Sequence, residues 1–278
     1  MIISDFHSHS SNSGDSETKM QYQIEAARKC GLKHLCITEH NDFDYPDVTP
    51  GYEDEMCDFT LDVDTYLDEY RKMHESYCNG TSSDFNLYFG IELGLQTQVV
   101  NQNKELISSY PFDFVIASSH VFDNSDPYFP PFWEGKNESD VFRKYFQSIY
   151  ENICLYDDFD IYGHLDYIIR YGKEKDRHFK YSDFSDEIDA ILKKLIEMGK
   201  GIEINTGGLK NGLRFPNPNP EILKRYKELS GEIITVGSDA HTPDYIGYRF
   251  DVAADILTEC GFKYYTIFKS RKPEFLKI

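Results

Sequence analysis

Positive charge is scarce in this chain of 278 residues: 29 lysines and arginines face 48 aspartates and glutamates, a formal net charge of -19. Such a molecule repels a nucleic-acid backbone or an anionic membrane surface, and its basic residues are scattered, which excludes both as partners. Long apolar runs are missing too. No stretch approaches the ~18 residues of a membrane span, and the start lacks the basic region, apolar core and cleavage site of a secretory signal. Cysteine is sparse, and Cys30, Cys36, Cys57, Cys78, Cys154 and Cys260 include no CxxC pair, so neither a zinc knuckle nor a redox motif is encoded. Dispersed thiols of this kind suit a cytoplasmic setting. Asn79-Gly80-Thr81 has glycosylation spacing, which means nothing without secretion. With no repeat, low-complexity linker or composition break, residues 1–278 read as one domain, and no obligate protein partner is implied.

What is present is enough to build a large core: 40% of residues are apolar and 15% aromatic. Seven short β-branched or aromatic runs predict buried strands at 2–6, 34–38, 87–92, 113–118, 160–163, 201–205 and 232–237. Helix-like segments lie between them, including 20–30, 62–78, 139–155, 185–199 and 220–230. In the fourth, Ser185 is the expected N-cap, acids follow in the first turn, and Gly199 is the stop. Strand and helix alternation predicts a parallel sheet, and seven or eight such units in this length favour a closed (β/α) barrel. The run 262–268 is expected to add a strand or a closing element. Two loops are long, 41–60 and 121–137; the second, with Trp133 and other aromatics, is the better candidate for a pocket wall.

The residues that follow the strands carry the chemistry. Strand one leads into His7-Ser8-His9 and strand two into Thr38-Glu39-His40. Strand three contains Glu92, strand four ends at His120, strand five at His164, and strand seven runs into Asp239-Ala240-His241. Six of the nine histidines therefore fall on the carboxyl-end rim, where barrels place ligand groups. Imidazole and carboxylate are the ligands of zinc, manganese and iron, and an HxH at a strand end sends both rings to one side. Nine candidates result: His7, His9, Asp15, His40, Glu92, His120, His164, Asp239 and His241. They suffice for two or three divalent ions, with Glu92 able to bridge two of them. His34, His74 and His178 lie away from the strand ends and read as structural or solvated.

These motifs, HSH, TEH, GIE, SSH, GHLD and GSDAH, resemble in order those of the PHP (polymerase and histidinol phosphatase) metal-dependent phosphoesterases. The stretches GHLDYIIRYG, EINTGGLKNGLRFPNPNPEIL and GFKYYTIFKSRKP look like the histidinol-phosphatase branch of that superfamily. The resemblance implies a distorted (β/α)7 TIM-like barrel. It also implies one ion held by His7, His9, Glu92 and Asp239, a second by Glu92, His120 and His164, and a third by Asp15, His40 and His241. Some members carry histidine where this chain has Asp15. Two basic residues are implied to hold phosphate, Arg170 and either Lys210 or Arg214; the lysine departs from the arginine expected at position 210.

The implied reaction is hydrolysis of a small phosphate monoester, L-histidinol phosphate, a step of histidine biosynthesis. A hydroxide bridging two metals would attack phosphorus, while Arg170 and the second cation hold the nonbridging oxygens and Asp239 or His241 assists the leaving oxygen. Bound cations would also explain how an acidic molecule attracts an anion. Glu39, Asp42, Asp44 and the 121–137 loop are candidate partners for the substrate's amine and imidazole. A PHP phosphoesterase for a nucleotide or sugar phosphate, and a noncatalytic metal-binding barrel, are the alternative readings.

Overall fold

A computed structural model describes residues 1–46, 49, 51–53, 57–78 and 84–278. Asn79-Gly80-Thr81 and part of the 41–60 loop lie outside the described residues. Seven parallel strands follow one another around the sheet in chain order: β1 (Ser4–Asp5), β2 (His34–Asn41), β3 (Asn86–Gly94), β4 (Phe114–Ser118), β5 (Ile161–Tyr162), β6 (Gly201–Asn205) and β7 (Ile234–Gly237). The ring closes where Phe6 N–H donates to Val236 O (3.0 Å), Asp239 N–H to His7 O (2.8 Å) and His9 N–H to Ala240 O (2.9 Å). All seven strands named from the sequence form, although β1 and β5 shrink to two ladder residues each. The expected (β/α)7 barrel is the observed architecture.

Helices cover the outside: α1 (Met20–Lys29), α2 (Val63–Cys78), α3 (Val100–Ser109), α4 (Glu138–Leu155), α5 (Ser185–Glu197), a single turn α6 (Gly207–Lys210), α7 (Pro220–Glu228) and α8 (Phe250–Glu259). Most of the helices turn an apolar stripe inward, as α4 does with Val141, Phe142, Tyr145, Phe146, Ile149 and Ile153. The Asn137 side chain caps α4 by accepting from Asp140 N–H at 3.1 Å. At α5 the expected cap is not the observed one. Ser185 is the first helical residue and Phe184 occupies the cap position without a side-chain bond. A preceding 3-10 turn, Tyr181–Asp183, already fixes the chain there, and Asp186 and Glu187 supply the negative charge that a helix N-terminus favours.

The run expected at 262–268 is a closing element. It forms β8 (Tyr264–Lys269), paired antiparallel with β9 (Lys272–Lys277). This hairpin lies across the amino ends of the barrel strands: Phe268 stacks on Phe114 at 5.1 Å, Tyr265 OH accepts from Ile3 N–H, and Arg271 N–H donates to Asp113 O. With that end covered, the opposite rim is the open one.

Candidate metal centre and active site

The site is built from strand periodicity. His7 and His9, two residues apart, point the same way, and the register pairs His40 directly with Glu92. Glu92 is fully buried at the centre. Its Oε1 lies 3.1 Å from His120 Nε2 and 2.9 Å from His164 Nε2; its Oε2 lies 3.0 Å from His7 Nε2, 3.5 Å from His9 Nε2 and 3.1 Å from His40 Nδ1. Asp239 Oδ1 faces His7 and His9 at 3.8 and 3.5 Å. Asp15 Oδ2 lies 3.0 Å from His241 Nε2 and 3.6 Å from His40 Nε2. All nine residues singled out as ligands therefore converge on one cluster, while His34, His74 and His178 stay outside it; His34 pairs with Tyr88 OH at 2.9 Å.

Glu39 explains how Asp15 returns to the rim. Its buried carboxylate accepts from Ser10 N–H, from the Ser10 hydroxyl and from the Ser13 hydroxyl, folding residues 10–15 back over β2. Glu39 is fully buried, so it is structural and not a partner for a substrate amine. Asp44 bonds Gln98 outside the cavity. Asp239 sits at φ +56, a backbone conformation that costs energy in a residue other than glycine and that clusters at functional sites.

Charge in the cluster is held in a definite pattern. Burial works against a charge on His7 and His120, but Glu203 and Glu92 around the first, and Asp42 and Glu92 around the second, raise both well above the ordinary imidazole value. Burial, followed by the neighbouring His40 and His241, pushes His9 well below it. For Asp15, despite burial, His40 and His241 hold the carboxyl below the usual carboxylate range.

The ligand atoms fit divalent cations. Four triads, including His7/His9/Glu92 and His40/Glu92/His120, each have their atoms within 4.8 Å of one another. A tetrahedral ion with bonds of about 2.0–2.1 Å spaces its ligands by roughly 3.3 Å, close to the His9 separations. Among the described residues, His9 Nε2, His40 Nδ1 and His164 Nδ1 are buried without an aligned hydrogen bond, although Glu92 Oε2 lies 3.5 Å from the first and 3.1 Å from the second, an arrangement that costs energy unless another group satisfies them.

Beside the cluster opens a cavity of about 290 Å³, lined among others by His40, His120, His164, Asp239, His241, Arg170 and Lys210. Arg170 is buried, donating from Nε to Asn217 Oδ1 (2.8 Å), from Nη1 to Asp239 Oδ2 (3.0 Å) and from Nη2 to Asn205 Oδ1 (3.0 Å). Three of its five N–H groups are thus used, and two are left for a ligand. Lys210 also reaches the cavity, its ammonium 4.5 Å from the Tyr245 ring centre. Arg214 is absent from the lining and engages Asp176, carbonyl and carboxylate both. The 121–137 loop supplies Asp126 to the wall, and the 41–60 loop supplies Asp42, Tyr45 and Phe59. Trp133 turns away, its Nε1–H donating to Pro127 O at 2.9 Å.

Sequence reasoning missed Glu203 and Asp166 behind the ligands, and it named Asp42 only as a candidate partner for the substrate's amine and imidazole. Glu203 is 2.7 Å from His7 Nδ1 and accepts from His164 N–H; Asp42 lies 2.9 Å from His120 Nδ1; Asp166 accepts from Asn217, the residue that holds Arg170. A signal existed for Glu203: within the apolar run GIEIN it and Asn205 share the inward face of a strand, where a charge needs a purpose.

A barrel whose open rim gathers imidazoles and carboxylates around one bridging glutamate defines a class, the metal-dependent hydrolases of the (β/α) barrel type. Comparison with known proteins narrows it. The family model described as PHP domain matches residues 5–207. A probable histidinol-phosphatase of Clostridium acetobutylicum is 32% identical over 262 residues, covering 94% of this chain and 95% of the relative. The histidinol-phosphatase of Lactococcus lactis is 28% identical over 274 residues, covering 96% and 95%. A crystal structure of the histidinol phosphate phosphatase from that organism, complexed with zinc, L-histidinol and phosphate, superposes with a TM-score of 0.84 at 27% identity over 98% of both chains. The putative histidinol phosphatase of Listeria monocytogenes shares the fold, with a TM-score of 0.75 at 16% identity over 89% of this chain and 98% of that one. The chain belongs to the PHP family, in its histidinol-phosphatase branch.

Proposed function

We propose that residues 1–278 act as one catalytic domain that hydrolyses L-histidinol phosphate to L-histidinol and phosphate. The observation that carries this reading is a single cavity in which a multi-ligand cation cluster meets two side-chain cations, Arg170 and Lys210. The Lactococcus structure with zinc, histidinol and phosphate supports it. His7, His9, Glu92 and Asp239 would hold one divalent ion, Glu92, His120 and His164 a second, and Asp15, His40 and His241 a third; zinc, manganese and iron all suit these donors. When bound, such ions supply the positive charge that a phosphate dianion needs and acidify water toward neutrality.

The chain's own residues do the rest. Arg170, fixed by Asn217, Asn205 and Asp239, offers its two remaining N–H groups to nonbridging phosphate oxygens in the fork geometry that suits them. Lys210 is the second phosphate contact, since Arg214 is committed to Asp176. Asp239, whose Oδ2 accepts from Arg170, and His241, both in the cavity lining, assist departure of the alkoxide. A cytoplasmic location goes with this biosynthetic reading. Among the described residues no helix is long and apolar enough to cross a membrane.

Steady-state kinetics with zinc, manganese or iron restored tests the reading against a panel of phosphomonoesters. Histidinol phosphate is expected to be the preferred substrate, with kcat/KM above ~10^4 M^-1 s^-1 under at least one metal. Glu92→Ala removes the group common to two ion sites and should reduce activity to background. Full activity in metal-free protein, or in that variant, would sink the proposal.

A further inference from the structure

The barrel closes along one seam, between its first and last strands, and four of the nine ligands flank that seam: His7 and His9 on one side, Asp239 and His241 on the other. The ladder there ends at the bridge of Ser8 with Ala240 and the bond from His9 N–H to Ala240 O. The carbonyls of His9 and His241 lie beyond it and need other donors. Side chains from the segment that follows β1 supply them. Gln23 of α1 is fully buried, and its Nε2 donates to His9 O at 2.7 Å and to Ala240 O at 3.0 Å. The hydroxyls of Ser16 and Thr18 donate to His241 O at 3.0 and 2.8 Å. Among the described residues, Gln23 Oε1 has no hydrogen-bond partner. A buried acceptor left unmade is costly, and methionine would fill much the same space without that cost. Two N–H groups spent on two ligand-bearing strands, beside a bare oxygen, suit an amide that holds those strands in place and not one that merely fills the core.

Resting on the metal reading above, we propose that Gln23 is a positioning residue for the ions whose ligands come from both sides of the seam. Two sets do so: His7, His9 and Asp239 with Glu92, and Asp15 and His241 with His40. The set of Glu92, His120 and His164 stands on β3 and beyond β4 and β5, and does not cross it. Gln23 acts through the main chain of His9 and Ala240. The His9 and His241 rings stack at 4.4 Å, and Asp239 Oδ1 lies 3.5 Å from His9 Nε2, so sliding one strand against the other alters both seam-crossing sets at once. Metal bonds of about 2.0–2.1 Å tolerate little of that movement.

The test is Gln23→Met, similar in length and volume but without donors. Zinc titration against a chromophoric chelator reads how many ions each protein holds and how tightly, and Tm in excess chelator reads the metal-free fold. Ions of the seam-crossing sets should weaken about 10- to 100-fold, the range for losing a supporting contact behind a ligand, while one ion keeps its wild-type affinity and the metal-free Tm stays close to wild type. Adding His120→Ala to Gln23→Met should then release the spared ion. Unchanged affinity for every ion would make Gln23 a filler of space, and a spared ion that survives His120→Ala would belong to the wrong set; either overturns the inference. A variant that does not fold, or whose ions all weaken alike with a lower metal-free Tm, would make the role of Gln23 structural and overturn it too. A wild type that takes up no zinc overturns the metal reading itself, and the inference with it.

Discussion

Behind the imidazole of His7 lies the carboxylate of Glu203, 2.7 Å from Nδ1, and behind His120 lies Asp42 at 2.9 Å. A carboxylate in that position fixes the proton on Nδ1, turns Nε2 toward the cluster and raises the basicity of the ring as a ligand. Glu203 does a second job by accepting from His164 N–H at 3.0 Å, so one side chain orients two strands' ligands. It is fully buried and lies outside the cavity lining, so it touches no substrate. Glu203→Gln is therefore expected to weaken metal affinity about 10- to 100-fold while leaving kcat at saturating metal close to wild type. Competition with a chromophoric chelator measures the first quantity and metal titration of the rate the second; unchanged affinity would remove Glu203 from this role. Glycine at 237 belongs to the same arrangement, because a Cβ there would overlap both the Glu203 carboxylate and His7. The nine candidate ligands were legible in the sequence, since each lies in the carboxyl-end part of a strand or in the loop beyond it and histidine is rare elsewhere. The supporting role of Glu203 and Asp42 was not, because a residue's contact with the far side of a ring depends on barrel closure, which brings His7 and Glu203 together from positions 196 apart in the chain.

At the scale of elements, the two ends of the barrel divide their tasks. The carboxyl-end rim holds the cluster, whereas the amino end is closed by the β8–β9 hairpin, whose turn residues Ser270 and Arg271 sit at φ +48 and +64. Asp113 accepts from Ser270 N–H, and Arg271 reaches Asp160 at 2.6 Å and Asp158 at 3.2 Å. Burial raises the Asp160 pKa, and the Arg271 guanidinium opposes that rise. Arg271→Ala should destabilise the fold by about 2 kcal/mol at neutral pH, less than a fully buried pair would lose because the arginine is partly exposed. The attraction exists only while Asp160 is ionised. The gap between wild type and variant should accordingly be small in acid, where Asp160 is protonated, and grow as pH rises toward neutrality. Urea denaturation across that range checks it, with kcat/KM expected to be unchanged because the site lies at the other end. The hairpin marks the limit of what is legible at this scale: its apolar run reads as a strand, but nothing local says whether a strand joins the barrel or covers it. α3 and α8 likewise lie outside the segments named from the sequence; α3 buries only Asn103 and Ile107 and so carries little of the apolar stripe by which helices are read.

For the whole molecule the net charge of -19 and the crowded rim are one problem. Asp15, Asp42, Glu92, Glu203 and Asp239 approach each other through a shell of histidines in a largely buried volume, and cations are what make so many anionic groups compatible with folding. Ions that bind the folded rim and not the unfolded chain add their binding free energy to stability, since the ligands come from strands spread between His7 and His241 and no local segment can assemble the set. At a free metal concentration 1,000 times the dissociation constant, one site contributes about 4 kcal/mol. In a chain of this size each kcal/mol moves the melting point by about 2–4 °C. Chelation should therefore lower Tm by about 10 °C or more, and restoring metal should return it. Glu92→Ala should lose most of this increment along with activity, because two of the three ion sets share that carboxylate. Differential scanning calorimetry with and without chelator reads both proteins. A wild type whose Tm ignores chelation would mean that the fold carries its acidic rim without cations, and the assignment of the nine residues as metal ligands would fall with it.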